Sequence, residues 1–357
     1  MKKIVLTGGG TAGHVTPNIA LLPALKDAGY EISYIGSYDG IEKRLIADFD
    51  IPYYGISTGK FRRYFDLKNF SDPFRVIKGY REAKKILKQI SPDVIFSKGG
   101  FVSVPVVRAA GDLHIPCIIH ESDMTPGLAN KLCIPVAQKV CCNFPETLKC
   151  IPAEKAILTG SPIRSELAKG NKIAAYDLCG FTANKPVIMI IGGSQGSASI
   201  NQVVREALPK LLEDFQIVHL CGKDKVDNLM LSIPGYKQFE YIKTELKDLF
   251  AMADVVISRA GANAICELLA LNKPNILIPL SVGSRGDQIL NAASFEEQGF
   301  SIVIREESLD CFYLVDKLHE LYCNRKQYIE NMTNSGQLNS INTIINLLNQ
   351  AIENKLQ

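Results

Sequence analysis

The sequence predicts an α/β protein made of two Rossmann-like domains, each with a parallel sheet. Short apolar, β-branched runs alternate with longer amphipathic runs, which is typical of repeated βαβ units. A strand, a glycine-rich turn and a helix occur in that order at residues 4–28 and again from residue 187. The 357 residues suffice for two such domains with full cores.

Composition indicates an ordinary globular chain, with 46% hydrophobic and 22% charged residues. No apolar stretch reaches the roughly 18 residues that cross a bilayer. The apolar run of MKKIVLTGGG stops at Gly8, so we do not expect a signal peptide. The ten cysteines form no CxxC pair and are interpreted as reduced thiols of a cytosolic protein. No cluster has the spacing of a metal site, so no metal is expected.

The first glycine turn lies in IVLTGGGTAGHVTP, residues 4–17. A buried strand leads into it, and an amphipathic helix follows, with Thr16 predicted as its cap and Pro17 at its first position. Such a turn lets a ligand approach the backbone, and the helix N-terminus offers free N–H groups. A purely structural turn has no need of His14, so we predict a functional site here.

Two known loops resemble this turn. Gly8, Gly10 and Gly13 match the dinucleotide fingerprint, but the second strand runs into Gly36-Ser37-Tyr38 where the fingerprint expects an acidic residue. Gly8 and Gly13 also have P-loop spacing, but His14-Val15 replaces the required Lys-Ser/Thr. The pattern therefore disfavours a P-loop NTPase and leaves a nicotinamide cofactor as a weak alternative.

Strands are predicted throughout both halves of the chain. In the first half they are 4–6, Glu31–Ile35, Tyr53–Ile56, Val94–Ser97, Cys117–His120 and Lys139–Cys142. In the second half they are Val187–Ile191, Gln216–Leu220, Phe239–Ile242, Val255–Ser258 and Asn275–Leu280. The TGSPIR stretch at 159–164 interrupts the alternation and marks a boundary. We expect an N-terminal domain of 1–160 plus a C-terminal helix within 341–357, and a second domain of 161–340.

The second domain carries its own candidate site. In SRAGANAICE a strand ends at Ser258, a helix begins near Ala262, and Glu267 lies about one and a half turns into it, where a carboxylate can accept from ribose hydroxyls. Two glycine loops facing each other would form a cleft, and its ligand is expected to carry phosphate. The candidate cations for a diphosphate are Arg164, Arg259 and Arg285.

Seven motifs together resemble the MurG family, the N-acetylglucosaminyltransferases of bacterial peptidoglycan synthesis. They are GGGTAGHVTP, SKGGFVSVP, HESDMTPGLANK, TGSPIR, GGSQGS, ISRAGANAICE and GDQILNA, in family order. The resemblance implies a GT-B fold, with two parallel sheets facing each other across a cleft. It implies UDP-N-acetylglucosamine as donor, lipid I as acceptor, and lipid II as product, with inversion at the anomeric carbon and no metal.

Residue roles follow from the same resemblance. In the first domain Thr11, Ala12 and Gly13 would line the sugar side of the cleft, His14 would be the general base, and Asp123 would bind substrate. In the second domain the donor would be bound by Arg164, Ser194, Ile242, Ala262, Asn263, Ala264, Glu267 and Gln288. Three residues depart from the family pattern: Phe101 for Tyr, Asp123 for Asn and Ala260 for Ser. Phe101 lacks the Tyr hydroxyl, and Asp123 replaces an amide donor with an acceptor, while the implied reaction is unchanged.

The identity of the base stays open between two residues. An inverting transfer needs a base that takes the acceptor hydroxyl proton as the new bond forms. His14 has an ordinary pKa near neutrality, and a helix N-terminus disfavours its charged form. Glu121 follows a strand end in the same domain and is the rival, with orientation of a neighbour as its other interpretation.

Three other functions are considered beside the transferase. A UDP-N-acetylglucosamine 2-epimerase would share fold and donor but would act without a lipid acceptor. A nicotinamide oxidoreductase would explain neither the second glycine turn nor Glu267. A non-catalytic binding protein could dispense with His14.

A basic segment from Lys60 to Lys88 predicts the cellular location. It holds ten Lys or Arg and three Asp or Glu, and apolar or aromatic residues interleave with them, among them Phe61, Tyr64, Phe65, Phe70, Phe74, Ile77 and Tyr80. This mixture suits an anionic lipid surface, where each basic residue contributes about 1 kcal/mol. No nucleic-acid motif accompanies it, so RNA is disfavoured. We expect a peripheral protein on the cytoplasmic face of the membrane.

Overall fold

A computed structural model describes residues 1–59, 72–193, 195–281 and 286–356 of the chain. These residues form two compact units. Unit 1 comprises Met1–Arg164 and Asn339–Gln357, and unit 2 comprises Ser165–Leu338. Arg164, one of the predicted donor-binding residues, is thus the last residue of unit 1 before the chain enters unit 2.

Within the described residues, unit 1 contains a seven-stranded parallel sheet of order β3-β2-β1-β4-β5-β6-β7. The strands are β1 Lys2–Thr7, β2 Tyr30–Ser37, β3 Tyr53–Ile56, β4 Val94–Ser97, β5 Cys117–Glu121, β6 Lys139–Cys142 and β7 Ala156–Leu158. Their near-continuous burial reflects helices on both faces, as expected for a parallel sheet.

Two hydrophobic clusters cover the two faces of this sheet. The helices of unit 1 are α1 Thr16–Asp27, α2 Ile41–Ile46, α3 Asp72–Ile90, α4 Ser103–Asp112, α5 Leu128–Cys133, α6 Pro145–Leu148 and, at the C-terminal end, α13 Ser340–Leu356. The last helix returns to unit 1 because its apolar stripe, including Ile344 and Leu348, is completely buried against the α1 face.

Unit 2 contains, in the part of the chain described, a six-stranded parallel sheet of order β10-β9-β8-β11-β12-β13. Its strands are β8 Val187–Ile191, β9 Gln216–Leu220, β10 Tyr236–Phe239, β11 Val255–Ser258, β12 Asn275–Leu277 and β13 Ser301–Val303. Its helices are α7 Lys172–Cys179, α8 Ala198–Asp214, α9 Leu246–Met252, α10 Ala262–Ala270, α11 Asp287–Glu297 and α12 Cys311–Thr333. The predicted α/β class with two Rossmann-like parallel sheets is confirmed.

Some predicted strand bounds are wrong. The strand predicted at Phe239–Ile242 shares only Phe239 with β10, which begins at Tyr236 and ends at Phe239, where its neighbour β9 ends at the paired Leu220. Ile242 therefore lies in the following loop, although it is buried. The strand predicted to reach Leu280 stops at Leu277, two residues before Pro279, which lacks the N–H group that a ladder needs. The short strands β7 and β13 were not predicted.

The predicted cap of α1 is also wrong. Thr16 is the first residue of the helix, its cap position is Val15, and no side-chain cap bond is present. A 3₁₀ turn over Ala12–His14 leads directly into α1, so the backbone N–H of Val15 already bonds the carbonyl of Ala12. None of the described helices is both long and apolar enough to cross a membrane.

The strand orders place a switch point in each sheet. In unit 1 the order reverses between β1 and β4, and in unit 2 between β8 and β11. Ligands of open parallel sheets bind outside the carboxyl ends of the strands at such points. Both glycine-rich turns of the sequence follow a switch-point strand, β1 or β8.

Candidate active site

The candidate site of unit 1 is built from the turns after β1 and β4. The backbone N–H of Gly9 bonds the carbonyl of Gly99 at 3.4 Å, which joins the two turns. Gly8 has φ +154°, and a Cβ there would lie 2.6 Å from the His14 carbonyl oxygen. At Gly100, with φ +82°, a Cβ would collide with the Gly9 carbonyl. Glycine at both positions allows the turns to pack this closely.

His14 lies at the end of the 3₁₀ turn, and its ring orientation is set by its own loop. Its Nδ1 lies 3.1 Å from the Gly9 carbonyl oxygen and 3.1 Å from Thr11 Oγ1. Because a carbonyl oxygen only accepts, we assign the imidazole proton to Nδ1, which leaves the lone pair on Nε2. Burial, and then the charge of Lys98, lower the pKa of His14 from 6.5 to about 4, against the opposite effects of Gly9 and Glu42. The imidazole is therefore neutral at pH 7.

The predicted sugar-side residues Thr11, Ala12 and Gly13 precede His14 in the same turn. Thr11 is extended and exposed, Ala12 is exposed, and Gly13 is partly exposed. A buried carboxylate, Glu42, supports this turn from below by accepting from the backbone N–H of Gly10 at 3.1 Å. The backbone and small side chains of this turn are therefore accessible to solvent, while the hydrogen bond to Glu42 holds the turn in place.

Glu121 ends β5 and is buried among donors of its own loop. Oε1 accepts from the backbone N–H of Asp123 at 2.9 Å. Oε2 accepts from the backbone N–H of Gly127 at 3.0 Å and from Asn130 Nδ2 at 2.8 Å. The carboxylate therefore organises the loop that carries Asp123, whose carbonyl also accepts from Thr147 Oγ1 at 3.2 Å. This arrangement fits the orienting interpretation of Glu121.

Two buried residues at this edge had no role in the sequence-based analysis. Lys98 follows β4 directly and is 1% exposed, and His120 precedes Glu121 in β5 and is completely buried. Lys98 Nζ lies 2.9 Å from His120 Nδ1. The sequence feature that could have identified Lys98 is its place in SKGG, directly after a predicted buried strand. A lysine that is buried there needs a partner, and buried lysines are often part of functional sites.

The candidate site of unit 2 is a cavity of about 570 Å³ beside the turn after β8. Its lining comprises Ile191, Gly192, Gly193, Gln195, Gly196, Ser197, Ala198, Ser199, Ser258, Arg259, Gly261, Ala264, Leu280, Gln288 and Glu306. The cavity lies at the switch point, because its walls come from the ends of β8 and β11. Ala264 and Gln288, both predicted donor-binding residues, contribute to it.

An ion pair closes one side of this cavity. Arg259 Nη2 lies 2.5 Å from Glu306 Oε1 and 2.7 Å from Ser197 Oγ, and Nη1 donates to the Ile278 carbonyl at 3.1 Å. Burial raises the pKa of Glu306, but hydrogen bonds from Arg259, Ser199 and Ser281 and the Arg259 charge outweigh it and lower the pKa from 4.5 to about 2. Arg259, predicted as a phosphate ligand, therefore also braces the cavity wall.

The other predicted donor-binding residues lie on or near α10 and α11. Ala262, Asn263 and Ala264 form the first turn of α10, which has Gly261 at its cap position, and Glu267 is half-buried further along it. Gln288 lies in the first turn of α11, and its Oε1 accepts from the backbone N–H of Leu280 at 3.0 Å. Ser194 and Arg285 lie outside the described residues. Among the residues that are described, no group of His, Cys, Asp and Glu could hold a metal ion.

Comparison with known proteins places these features in a family. Residues 4–142 match the glycosyltransferase family 28 N-terminal domain, and residues 187–348 match the family 28 C-terminal domain. A relative from Lachnospira eligens is 65% identical over 349 residues, covering 98% of this chain and 99% of its own. It is named "UDP-N-acetylglucosamine--N-acetylmuramyl-(pentapeptide) pyrophosphoryl-undecaprenol N-acetylglucosamine transferase". This chain belongs to the MurG family of glycosyltransferases.

A solved MurG structure agrees with this membership. The crystal structure of Acinetobacter baumannii MurG has a TM-score of 0.79 and 26% sequence identity, and the match covers 98% of this chain and 100% of that one. The GT-B fold and the glycosyltransferase class that the motifs implied are therefore confirmed.

A UDP-GlcNAc 2-epimerase, the class considered above as the alternative with the same donor, has a similar fold. The UDP-GlcNAc 2-epimerase of Methanocaldococcus jannaschii has a TM-score of 0.68 and 15% identity, with 98% of this chain and 100% of that chain covered. At that identity the likeness shows the fold alone. Membership of the MurG family favours the transferase over the epimerase and over the nicotinamide oxidoreductase.

Proposed function

We propose that the chain transfers N-acetylglucosamine from UDP-N-acetylglucosamine to the C4 hydroxyl of lipid I, the undecaprenyl-diphospho-N-acetylmuramoyl pentapeptide. The product is lipid II with a β-1,4 bond. The observation that carries the proposal is the 65% identity, over nearly the whole chain, to a relative named for this transfer. The neutral His14 at the switch point of unit 1 and the cavity of unit 2 support it.

His14 is the proposed general base. Inversion requires the acceptor hydroxyl to lose its proton while it attacks the anomeric carbon opposite the leaving UDP. The neutral ring has its lone pair on Nε2, whereas the Glu121 carboxylate is held by three donors of its own loop. We therefore propose that Glu121 orients the loop with Asp123, and that Thr11, Ala12 and Gly13 contact the reacting sugars.

The donor is proposed to bind in unit 2. Ala262, Asn263 and Ala264 would contact it at the start of α10, Glu267 would bind the ribose hydroxyls, and the backbone of Ile242 would contact uracil. The first-turn residue Gln288 would contact the sugar hydroxyls, and Ser194 would contact the nucleoside or diphosphate. The last residue of unit 1, Arg164, would contact the diphosphate as well. Backbone N–H groups and Arg164 would stabilise the charge of departing UDP, so the proposal includes no metal ion.

The transfer itself is tested with radiolabelled UDP-N-acetylglucosamine and a lipid I analogue. We expect label in a product heavier by one N-acetylglucosamine residue, with a β linkage, and no conversion of the donor when the analogue is omitted. An epimerase would convert the donor at C2 without the acceptor. That result, or the absence of labelled lipid, would contradict the proposal.

The chain is also proposed to dock on the cytoplasmic face of the membrane through the 60–88 segment. Its first twelve residues lie outside the described part, but α3 presents an exposed basic surface, formed by Arg75, Lys78, Arg81, Lys85 and Lys88. Ile77 lies among them and is 49% exposed. A basic helix with interspersed apolar residues suits anionic lipid, and an acceptor on a polyprenyl chain remains in the bilayer.

Vesicle co-sedimentation tests this docking. Binding should require anionic lipid and weaken with salt, and it should fall when Lys78, Arg81 and Lys85 are changed to Glu. The matched control changes three exposed lysines of unit 2, Lys172, Lys223 and Lys326, to Glu. Equal binding to neutral vesicles, or equal loss in the control, would show that the segment is not the docking surface.

A further inference from the structure

A charged residue lies buried beneath the candidate active site of unit 1. Lys98 is 1% exposed, and its Nζ lies 2.9 Å from His120 Nδ1 and donates to Ser122 Oγ. On the other side of the ring, His120 Nε2 lies 2.9 Å from the Gly160 carbonyl oxygen. Because that oxygen only accepts, Nε2 carries the proton and Nδ1 accepts from the ammonium. Burial and the Lys98 charge hold the pKa of His120 well below its usual range.

The same lysine packs against the turn that carries His14. Its backbone N–H donates to the Thr7 carbonyl at 2.9 Å, which continues the pairing of β1 and β4 past their ends. A Cβ on Gly8 would lie 3.2 Å from Lys98 Cβ and 2.6 Å from the His14 carbonyl oxygen. Gly8 thus lies between the side chain of Lys98 and the backbone of His14. Because glycine has no side chain, the two can approach each other closely.

We propose that Lys98 is a positioning residue of the active site: its ammonium, anchored by His120 and Ser122, ties the turns after β4 and β5 together beside the turn that carries His14, and its charge opposes protonation of His14. The inference rests on the proposed function, in which His14 is the base. A base must be unprotonated to accept the acceptor hydroxyl proton. Burial is the larger cause of the lowered pKa of His14, and the fixed charge of Lys98 acts in the same direction.

The charges that face His14 act in both directions. Lys98, from the turn after β4, opposes protonation, and Glu42, from α2, favours it. The carbonyl of Gly9, in the same loop, favours it through its bond to Nδ1. Tyr34, on β2, donates to the Gly8 carbonyl at 2.7 Å, and neutral His120 faces Lys98. Of these neighbours Lys98 carries the positive charge, so replacing Lys98 tests the effect of that charge on His14.

Histidine NMR titration of the full chain tests the inference without substrate. The His14 signal is assigned by its loss in His14→Ala. In the wild type we expect His14 to remain neutral well below pH 6.5. In Lys98→Met and Lys98→Gln its pKa should rise by about 1 unit, the smaller end of the range for a neighbouring charge. Lys26→Met, which removes an exposed lysine of the same unit, is the matched control and should cause no shift.

The two variants separate charge from packing. Gln retains an N–H donor for His120, whereas Met does not, so a shift in Lys98→Met alone would contradict a role for the charge. A wild-type His14 that titrates near 6.5 would overturn the inference even if both variants failed to fold.

Activity measurements distinguish this inference from the proposed function. In Lys98→Gln the acid limb of kcat/KM should move to higher pH by the same amount as the NMR pKa, because kcat/KM reports the free enzyme. An NMR shift without a movement of the limb would contradict the positioning of a catalytic base. Full activity of His14→Ala would refute the base assignment, while the NMR result would still decide whether Lys98 controls the ring.

Discussion

The glycine turns after β1 and after β8 occupy equivalent places in their sheets, yet they are surrounded by different chemistry. The first contains His14, and ionisable groups that interact with this ring, Lys98 and Glu42, are enclosed beneath it. The second leads into α8 through Ser197, which caps the helix and accepts from Arg259. In unit 2 the neighbouring charges form the Arg259–Glu306 ion pair.

The two turns therefore differ in chemistry: the surroundings of the first suit proton transfer, and those of the second form a cavity. At pH 7 the His14 imidazole is neutral and has a lone pair that can accept a proton, whereas the Glu306 carboxylate is ionised and paired with Arg259. Unit 1 therefore has the groups for proton transfer, and unit 2 has a cavity whose wall contains an ion pair. The two units of one chain show that the strand–glycine–helix pattern specifies a place for a ligand, while the buried charges around it specify the chemistry.

Replacing His14 should have the largest effect and tests the unit 1 side of the comparison. His14→Ala removes the proposed base, so turnover should fall by about 10²- to 10⁴-fold with UDP affinity nearly unchanged. Steady-state kinetics and calorimetry measure both quantities. His114→Asn, at an exposed histidine whose positive φ suits Asn, is the control. Near-normal turnover in His14→Ala would return the role to Glu121 or another group.

Breaking the Arg259–Glu306 pair tests the unit 2 side. Glu306→Ala should lower the free energy of unfolding by about 3 kcal/mol, since it leaves a buried guanidinium without its carboxylate. The native pKa of Glu306 is depressed, so its stabilisation is full above about 4.5 and is lost as pH falls towards about 2. Urea unfolding at pH 7 measures the effect, with exposed Glu307→Ala as the control. Equal stabilities of the two variants would show that the pair does not brace the wall.

The positions of these groups explain how much the sequence could predict. Strands such as Val94–Ser97 and Val187–Ile191 were predicted at their observed bounds, because β-branched runs and following glycines are local signals. The start of α10 at Ala262 and the nearby Gly261 were also local. His14 could be identified as a candidate because a histidine at a glycine turn has no structural explanation.

Other features depend on distant residues and leave little local trace. The end of β10 is set by the end of β9, and the Arg259 interactions come from Glu306, 47 residues away in the chain. In the sequence Lys98 is only one residue of a motif. Its contact with His120 depends on the pairing of β4 with β5, which no local pattern predicts. Sequence patterns therefore located both turns and Arg259, and missed Lys98, Glu42 and Glu306, the other buried or part-buried charges that distinguish them.

Glu267 offers a smaller and more specific test of donor binding. Glu267→Ala should weaken UDP binding by about 1.5–3 kcal/mol, the range for a hydrogen bond with a charged acceptor. Isothermal calorimetry measures the affinity, and Glu297→Ala, at an exposed position on α11, is the control. Stability should change little, in contrast to Glu306→Ala. Unchanged UDP affinity would remove Glu267 from the site and weaken the assignment of the donor to unit 2.

The smallest effect is expected from two histidines whose pH dependences should have opposite signs. Burial lowers the pKa of His319, but hydrogen bonds to Asp214 and the Val315 carbonyl outweigh it and leave the pKa raised above 6.5. Nε2 lies 3.0 Å from Asp214 Oδ2 and Nδ1 lies 2.9 Å from the Val315 carbonyl, so protonation satisfies both acceptors. His319 therefore stabilises the fold below pH 6.5, and this contribution disappears as pH rises through the folded pKa.

His14 should show the reverse, because its folded pKa is lowered to about 4. Below pH 6.5 His14 is protonated in the unfolded chain but remains neutral in the folded protein. The free energy of unfolding should therefore decline as pH falls towards 4. His319→Gln should cost less than about 1 kcal/mol at pH 6, since the pair is partly exposed, and less than that at high pH. His14→Gln should instead make stability less sensitive to acid. Urea unfolding of the wild type and both variants from pH 5 to 8 measures how each replacement changes the slope of stability against pH. Changes of the same sign in the two variants would contradict the contrast between the sites of unit 1 and unit 2.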